Sequence, residues 1–386
     1  MTQEIDISIP MPLVVSIEDV GWWSGWNGSG VNQPFRTGMP RDHVPADYTA
    51  LAALGKGLGT RILAGFVLCE WDKTDSLRHL PSATWMGDKW VNPMKNREHQ
   101  AQAAAIIKAE QDFIEFGFHA LGHEFWSNGR MERSEFHNTA CQMRDREEII
   151  RHLDAFFRIM EQHGFDVAPR TFIPPALYHS FGNGDKGFQK IMNRFGIKYV
   201  TLVFNRAKLF SRPQAAGVAW ENDVLLVERG EADVKWDTVA AEPHFLFDRP
   251  VMALHWANIL HPDPRKNLLV VDRWVRYINE TIEKTGGLLA RDSESAFTQY
   301  LHKTMSKIQR KGRGFSVDMS WLNRVPGTLI GASVFLKVDA PGGIGFDVSG
   351  ARKLAPARPA ETPFLKLSLP EDEQRRIRIL LRQFNT

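Results

Sequence analysis

The sequence contains little of three features that would assign it to a broad class. Only two cysteines, Cys69 and Cys141, occur among 386 residues, which is too few for a disulfide framework. No apolar run approaches the roughly 20 residues that cross a bilayer, and the N-terminus has neither the basic nor the apolar part of a signal peptide. These absences predict a cytoplasmic protein without a membrane span.

Charge of one sign is also scarce. The formal net charge is +3, from 48 basic and 45 acidic residues, and the two signs are interleaved along the chain. Nucleic-acid binding requires a concentrated basic surface, so we expect no nucleic-acid partner. The hydrophobic fraction of 43% is enough to bury a large core in one domain, or in one domain with an appendage. The oligomeric state stays open.

Short β-branched runs alternate with helical patterns along the first 290 residues. This alternation is typical of βα units around a parallel sheet. The predicted strands lie at residues 13–17, 60–68, 116–121, 171–173, 198–204, 224–228, 251–255 and 288–291. The predicted helices lie at residues 97–115, 145–162 and 266–284. The sequence therefore predicts an α/β fold with seven or eight strands.

The pattern changes after residue 311. Glycines, prolines and alternating strands follow without intervening helices, at residues 315–321, 329–338, 344–348, 364–369 and 376–381. Such alternation indicates antiparallel strands with one face on a core. We expect residues 1–311 to form one α/β domain and residues 312–386 a small C-terminal antiparallel β appendage.

Three apolar strands end in ionisable side chains. Glu18 and Asp19 follow the first strand, His119 and His123 follow the third with a spacing of four, and His255 ends a late strand. One carboxylate and two imidazoles make a three-ligand set that leaves open positions on a zinc-type ion. Strand ends that carry the chemistry indicate a (β/α) barrel with its site at the carboxyl face.

The order of these strings resembles the polysaccharide deacetylase (NodB-homology) superfamily over residues 12–292. The shared features are an acidic pair after an apolar strand, His-x-x-x-His, a Pro-Pro strand end, a Phe-Gly-Ile-Lys-Tyr junction and a late Leu-His strand end. The Ile-Glu-Asp-Val form is similar to that of the superfamily's divergent deacetylase-like branch. This resemblance implies a distorted (β/α) barrel, a carbohydrate substrate and removal of an N-acetyl or O-acetyl group.

The resemblance also implies a role for each residue. Asp19, His119 and His123 would hold a divalent metal, most simply Zn, while Glu18 would be the general base and His255 the general acid. Independent chemistry agrees with these roles, because such a metal acidifies water and polarises a carbonyl. A carboxylate can then take the water proton, and an imidazole can protonate the leaving amine. The resemblance places a backbone donor for the oxyanion at residues 176–178.

The sequence departs from the superfamily pattern at the Pro-Pro strand end. An Arg that orients the base often precedes the two prolines, whereas this chain has Ile173. Arg170 would point elsewhere on the strand, and Arg291, at the end of the last predicted strand, is the expected substitute. Ala120 stands where Ser or Thr is usual, and the Asp-Trp motif occurs only as Trp236-Asp237.

Two other functions remain open. A glycoside hydrolase on a related barrel could use two carboxylates drawn from Glu18, Asp19, Asp237 and Asp292. A carbohydrate-binding relative without turnover is the other alternative, because Ile173 replaces the orienting Arg.

Twelve tryptophans are present, many of them in predicted loops at the catalytic face. Flat aromatic surfaces suit the apolar faces of sugar rings, but they can equally pack long loops together. The loop tryptophans are Trp22, Trp23, Trp26, Trp71, Trp85, Trp90 and Trp126. Residues 24–30 are glycine-rich enough to form a lid, and Glu124 could accept a hydrogen bond from a ligand imidazole.

Overall fold

The computed structural model describes residues 6–26, 34–94, 96–312, 314–339, 344–370 and 375–383. The chain divides into two compact units. One unit is Val14–Thr281, and the other combines the chain up to Leu13 with the chain from Ile282 onward. Within the described ranges, no helix has both the length and the apolar character needed to cross a membrane.

Strands and helices alternate through most of Val14–Thr281. The strands up to residue 255, numbered in chain order, are β1 (Asp6–Ser8), β2 (Pro12–Val20), β3 (Ile62–Val67), β4 (Ile114–Ala120), β5 (Phe125–Ser127), β6 (Arg130–Glu132), β7 (Thr171–Phe172), β8 (Ser180–Phe181), β9 (Tyr199–Leu202), β10 (Lys208–Leu209), β11 (Val218–Glu221), β12 (Val224–Glu228) and β13 (Val251–His255). The helices are α1 (Pro45–Leu58), α2 (Arg97–Ala109), α3 (Arg146–Gln162), α4 (Phe188–Arg194), α5 (Asn267–Thr285) and α6 (Ser293–Met305).

The core of this unit is a curled, half-barrel sheet. Eight described strands pair in the order β11-β12-β9-β7-β4-β3-β2-β13. Neighbours are parallel except at one edge, where β11 is antiparallel to β12. Strands β2, β3 and β4 are buried along their whole length, which explains why they appear as continuous apolar runs in the sequence. The mixed α/β class is confirmed, and the curvature is compatible with a distorted barrel.

Helix α3 shows how local sequence determines these elements. The side chain of Asp145 accepts hydrogen bonds from the amides of Glu147 and Glu148 and so caps the helix N-terminus. Gly164, with φ 64°, follows its C-terminal end in the left-handed conformation. One apolar face is buried, formed by Ile149, Leu153, Phe156, Ile159 and Met160. The helix predicted at residues 145–162 is confirmed.

The second unit is rich in strands. They are β14 (Leu288–Leu289), β15 (Lys307–Lys311), β16 (Gly314–Asp318), β17 (Ser333–Asp339), β18 (Ile344–Ser349), β19 (Lys353–Leu354), β20 (Leu365–Ser368) and β21 (Arg376–Gln383). Strand β14 pairs parallel with β2, and the other strands of this list pair antiparallel. Two four-stranded sheets have the orders β1-β17-β20-β19 and β15-β16-β21-β18.

Helix α6 belongs to this second unit. The Gln299 side chain on α6 donates to the Phe335 carbonyl at 2.9 Å and accepts from the Phe335 amide at 3.0 Å. These two hydrogen bonds join helix α6, which precedes residue 311, to strand β17. Contacts group the chain from Ile282 onward with the β-rich segment. The domain division expected at residue 311 stays a prediction.

Candidate active site

The predicted site residues stand at the carboxyl ends of neighbouring parallel strands. Glu18 and Asp19 lie near the end of β2, His119 near the end of β4, and His255 at the end of β13. The register aligns His255 directly with Glu18. Because parallel strands end at one edge of a sheet, their terminal side chains share one surface.

An irregularity in β2 allows the consecutive side chains of Glu18 and Asp19 to reach the same surface. Neighbouring side chains on a regular strand point to opposite faces. Asp19 has φ 62°, and the register between β2 and β3 shifts between Ile17 and Val20. Glu18 and Asp19 consequently both line the same cleft.

The cleft has a volume of about 390 Å³. Its lining includes all five residues expected to bind metal or to act as base and acid, whereas Arg291, the sixth predicted site residue, is not part of it. Its other lining side chains include Arg133, Tyr178, Arg206, Arg229, Glu231, Lys235 and Trp236. The structure thus brings together side chains separated by more than half of the chain.

Asp19, His119 and His123 have a spacing that fits one divalent ion. One ligand atom from each residue lies within 4.8 Å of the others. Asp19 Oδ1 is 3.5 Å from His119 Nε2 and 3.9 Å from His123 Nε2. Tetrahedral Zn with bonds of about 2.0–2.2 Å separates its ligands by roughly 3.3–3.6 Å. The donor set and its distances therefore fit a zinc-type ion after small side-chain shifts.

The second nitrogen of each imidazole also has a polar partner. His119 Nδ1 lies 2.7 Å from the carbonyl oxygen of Ile173, an acceptor that holds the Nδ1 proton and directs Nε2 toward Asp19. His123 Nδ1 lies 3.2 Å from both Glu124 Oε1 and Arg133 Nη1. Arg133 donates to the same Glu124 oxygen at 2.6 Å. The expected contact of Glu124 with the His123 imidazole is present.

Glu18 has a cation on one side and an imidazole on the other. Its carboxylate forms a buried ion pair with Arg229, and its second oxygen lies 3.9 Å from His255 Nε2. Burial alone would raise the pKa of the Glu18 carboxyl, but the charges of Arg229, His255 and His119 outweigh it and hold that pKa below its usual range. Glu18 is therefore ionised at neutral pH, as a general base must be.

Asp19 and His255 respond differently to burial. Burial opposes the ionised form of Asp19, but the hydrogen bond with His119 and the charge of His123 hold the Asp19 pKa well below its usual range. Burial is the largest influence on His255 and lowers its pKa, although Glu18 and Asp19 act in the opposite direction. These shifts favour the ionised carboxylate of Asp19 and the neutral imidazole of His255.

The cation beside Glu18 is Arg229, and not Arg291. The Arg291 side chain lies 3.9 Å from Asp292 in the second unit and is 63% exposed. Arg170 packs over the Tyr199 ring. Ile173 instead supplies the carbonyl that accepts the His119 hydrogen bond. Arg229, and not Arg291, therefore lines the described cleft and pairs with Glu18 there, and the orienting role expected of Arg291 stays a prediction.

Two other carboxylates proposed for glycoside hydrolysis have structural contacts. The Asp237 side chain pairs with Lys235 at 3.0 Å. Asp292 caps α6 by accepting hydrogen bonds from the amide and hydroxyl of Ser295. These contacts account for both side chains without a catalytic role.

Most of the loop tryptophans pack against one another or against neighbouring side chains. Those that are at most 5% exposed are Trp22, Trp23, Trp71, Trp90 and Trp126. Trp23 packs on Trp71 with ring centroids 5.2 Å apart, whereas Trp26 is 62% exposed. The packing role is correct for this set. Trp236 lines the cleft, and most of the suggested lid at 24–30 lies outside the described residues.

Sequence reasoning missed Arg229. The signal that could have found it is an apolar run, Val224–Val227, followed by the ionisable pair Glu228-Arg229. This pattern repeats that of Glu18 and Asp19 near the carboxyl end of β2. Arg133 and Glu135 have no comparable signal, because they lie in an irregular segment after β6.

Comparisons with known proteins give only weak similarity. No family model matches the chain, and no curated protein matches it. A proposed polysaccharide deacetylase from Mycobacterium smegmatis aligns with 69% of this chain and 82% of its own, at 13% identity and a TM-score of 0.36. A proposed glycoside hydrolase/deacetylase from Parabacteroides distasonis aligns with 86% and 80%, at 10% identity and a TM-score of 0.41.

A third similar structure is a GH57-type branching enzyme from Pyrococcus horikoshii. It aligns with 57% of this chain and 46% of its own, at 14% identity and a TM-score of 0.31. The chain thus matches less than half the length of that enzyme. At such low identities, a function must be inferred from the geometry of the cleft.

Proposed function

We propose that this protein is a metal-dependent hydrolase that removes an N-acetyl or O-acetyl group from a carbohydrate. The observation that carries the proposal is the convergence of Asp19, His119 and His123 in one cleft with Glu18 and His255. Three ligands, a base and an acid are the complement that hydrolysis of an amide or ester requires. The motif order that resembles the polysaccharide deacetylase superfamily supports the same reaction.

Asp19, His119 and His123 would hold the metal, which we take to be Zn. A bound Zn ion supplies Lewis-acid chemistry, acidifying water and polarising a carbonyl. The three residues leave one side of their cluster open to the cleft, where Glu18 and His255 are found. An acetyl group can therefore approach the ligands and both titrating groups together.

Glu18 would remove the proton from the attacking water. Its pKa lies below the usual carboxyl range, so the base form is available at neutral pH. Arg229, 2% exposed, would hold the carboxylate in one orientation and limit its rotation. In this role Arg229 is a positioning residue that acts through Glu18.

His255 would protonate the leaving amine or alkoxide. Its side chain is 16% exposed and lines the cleft, so a leaving group in the cleft can reach it. His255 Nε2 lies 3.9 Å from Glu18, so one reacting centre in the cleft can be near both groups. His255, whose pKa is lowered by burial, would take up a proton before it acts as the acid. A base and an acid beside one centre can act in turn during a hydrolysis.

Two further parts of the cleft would hold the substrate. The amides of Leu177 and Tyr178 already donate to Pro174 and Pro175, so the amide of Ala176 is the proposed oxyanion donor of this segment. Trp236 offers an aromatic surface for a sugar ring. It packs edge-on against Phe35 at a ring distance of 6.0 Å.

Acetate release from a panel of N- and O-acetylated oligosaccharides tests the proposal. Full-length, Zn-loaded protein is expected to release acetate from at least one class, and Glu18→Gln is expected to bind Zn but to release acetate at least about 100-fold more slowly. A Zn-loaded wild type that releases no acetate from any panel member would contradict the deacetylase proposal.

A further inference from the structure

A buried carboxylate outside the cleft binds the loop that carries His123. Glu135 is 1% exposed. Its oxygens accept hydrogen bonds from three consecutive amides, those of Leu121 at 3.2 Å, Gly122 at 2.7 Å and His123 at 2.9 Å. One side chain therefore fixes the backbone immediately after β4.

This backbone conformation needs support. His123 has φ 67°, a region that non-glycine residues seldom adopt. The preceding Gly122 packs so closely that a Cβ atom there would lie 2.1 Å from the Ala83 carbonyl oxygen. Successive amides that converge on one anion stabilise such a turn. Without the Glu135 carboxylate, the three amides would lose the acceptor that holds the backbone of His123 in this conformation.

Glu135 is itself held from helix α3. His152 Nδ1 lies 2.9 Å from Glu135 Oε1, and His152 Nε2 lies 2.9 Å from Ser82 Oγ. Ser82 in turn contacts Glu148. Ser82 precedes Ala83, whose carbonyl packs against Gly122, so both sides of the turn are joined to one buried hydrogen-bond chain.

We propose that Glu135 is a positioning residue for the metal ligand His123, and that His152 fixes the orientation of Glu135. The inference rests on the proposed function in one respect, that His123 is a metal ligand. Glu135 would act by holding the backbone of His123, while Glu124 contacts its imidazole. Loss of the Glu135 charge would leave three amides poorly paired and let His123 rotate away from Asp19 and His119.

Zn affinity and the spectrum of the Co-substituted protein test this role. The full chain is compared as wild type, Glu135→Gln and Glu361→Gln, with Zn dissociation constants measured by chelator competition. Glu135→Gln keeps the side-chain size but removes the charge and one acceptor oxygen. We expect it to weaken Zn binding by about 10- to 100-fold, as other outer ligand supports do, and to change the visible Co absorption bands.

Glu361→Gln is the matched control, because Glu361 is also a buried carboxylate that accepts a backbone hydrogen bond, from the Ala357 amide, but it lies in the second unit. It is expected to retain wild-type Zn affinity and Co spectrum. Wild-type affinity together with an unchanged spectrum in Glu135→Gln would overturn the inference.

A second variant covers the case in which Glu135→Gln does not fold. His152→Gln leaves the Glu135 charge in place and removes the imidazole that orients it, so several-fold weaker Zn binding is expected. Unchanged Zn binding in that variant would also overturn the inference. A wild-type protein that binds no Zn would contradict the proposed function itself, which is a distinguishable result.

Discussion

Arg229 and Glu18 form a buried ion pair although they come from different strands of the central sheet. Arg229 follows the end of β12, and Glu18 lies in β2. The pair places a cation against the proposed base although residue 173 is Ile and not Arg. The proposed base therefore has a positively charged partner that could orient it from another strand end.

Replacing Arg229 with Gln is expected to slow acetate release by about 10²–10³-fold, within the range of a general base contribution. The Arg229 charge lowers the Glu18 pKa, so its removal should raise that pKa. The base form is then lost at a higher pH, and the acid limb of the kcat/KM profile moves upward. The pH profile of the Zn-loaded variant measures this shift.

A double variant separates this role from a general loss of structure. If Arg229 acts through Glu18, then Glu18→Gln with Arg229→Gln should be no slower than Glu18→Gln alone. Arg291→Ala, which alters a cation in the second unit, should retain wild-type activity and pH profile. A large effect of Arg291→Ala would show that the orienting role belongs there after all.

Removal of a metal ligand should abolish tight Zn binding. His119→Ala deletes a nitrogen donor of the cluster, and we expect Zn affinity to fall by at least about 100-fold. Equilibrium dialysis of untagged protein measures the effect. His302→Ala provides a matched loss of a buried imidazole in the second unit, and it should retain one tightly bound Zn. Full occupancy in His119→Ala would exclude the assigned site.

Replacing His255 with Asn should affect substrates according to their leaving groups. An amine leaves only when protonated, so amide hydrolysis is expected to fall by about 10²–10⁴-fold. A nitrophenyl ester has a leaving group that needs no proton, and its hydrolysis should fall far less. The measurement is the rate of amide hydrolysis and the rate of ester hydrolysis, both with the same Zn-loaded preparation of His255→Asn. Equal losses would argue against an acid role for His255.

Chelation separates deacetylation from glycoside hydrolysis. Complete removal of metal by EDTA should abolish acetate release, and added Zn should restore it. Carboxylate pairs that hydrolyse glycosidic bonds need no metal. Reducing-sugar release that survives EDTA would therefore favour the glycoside hydrolase, with Glu18 and Asp19 as the cleft carboxylates to mutate first.

Much of the fold could be predicted because its signals are local. The strands at residues 224–228 and 251–255 were predicted with the bounds that the structure has, and α3 differs by one residue. Helix α6 was missed since its sequence has only a weak apolar stripe, being buried on several sides. Strand β15 was missed because it is largely exposed and charged.

The site residues also differ in whether a local sequence signal marks them. Asp19, His119 and His123 are recognisable because a spacing and a preceding strand mark them, although their role in binding metal stays a prediction. Arg229 and Glu135 act through contacts between distant parts of the chain, and no short string reports such contacts. The left-handed backbone at Asp19 is equally invisible in the sequence, since Asp tolerates both conformations.

That left-handed residue has a consequence for how the protein can change over generations. A side chain at φ 62° is strained by about 1 kcal/mol relative to glycine, and a buried carboxylate adds a cost of desolvation. Asp19→Gly would relieve both, but it would also remove the hydrogen bond with His119 and the attraction to His123, which outweigh the effect of burial on the Asp19 carboxylate. The substitution should therefore not raise the melting temperature at neutral pH. Any replacement that relieves the strain at residue 19 removes an anion from beside two buried imidazoles, so selection for heat resistance alone offers no direct route to loss of the site.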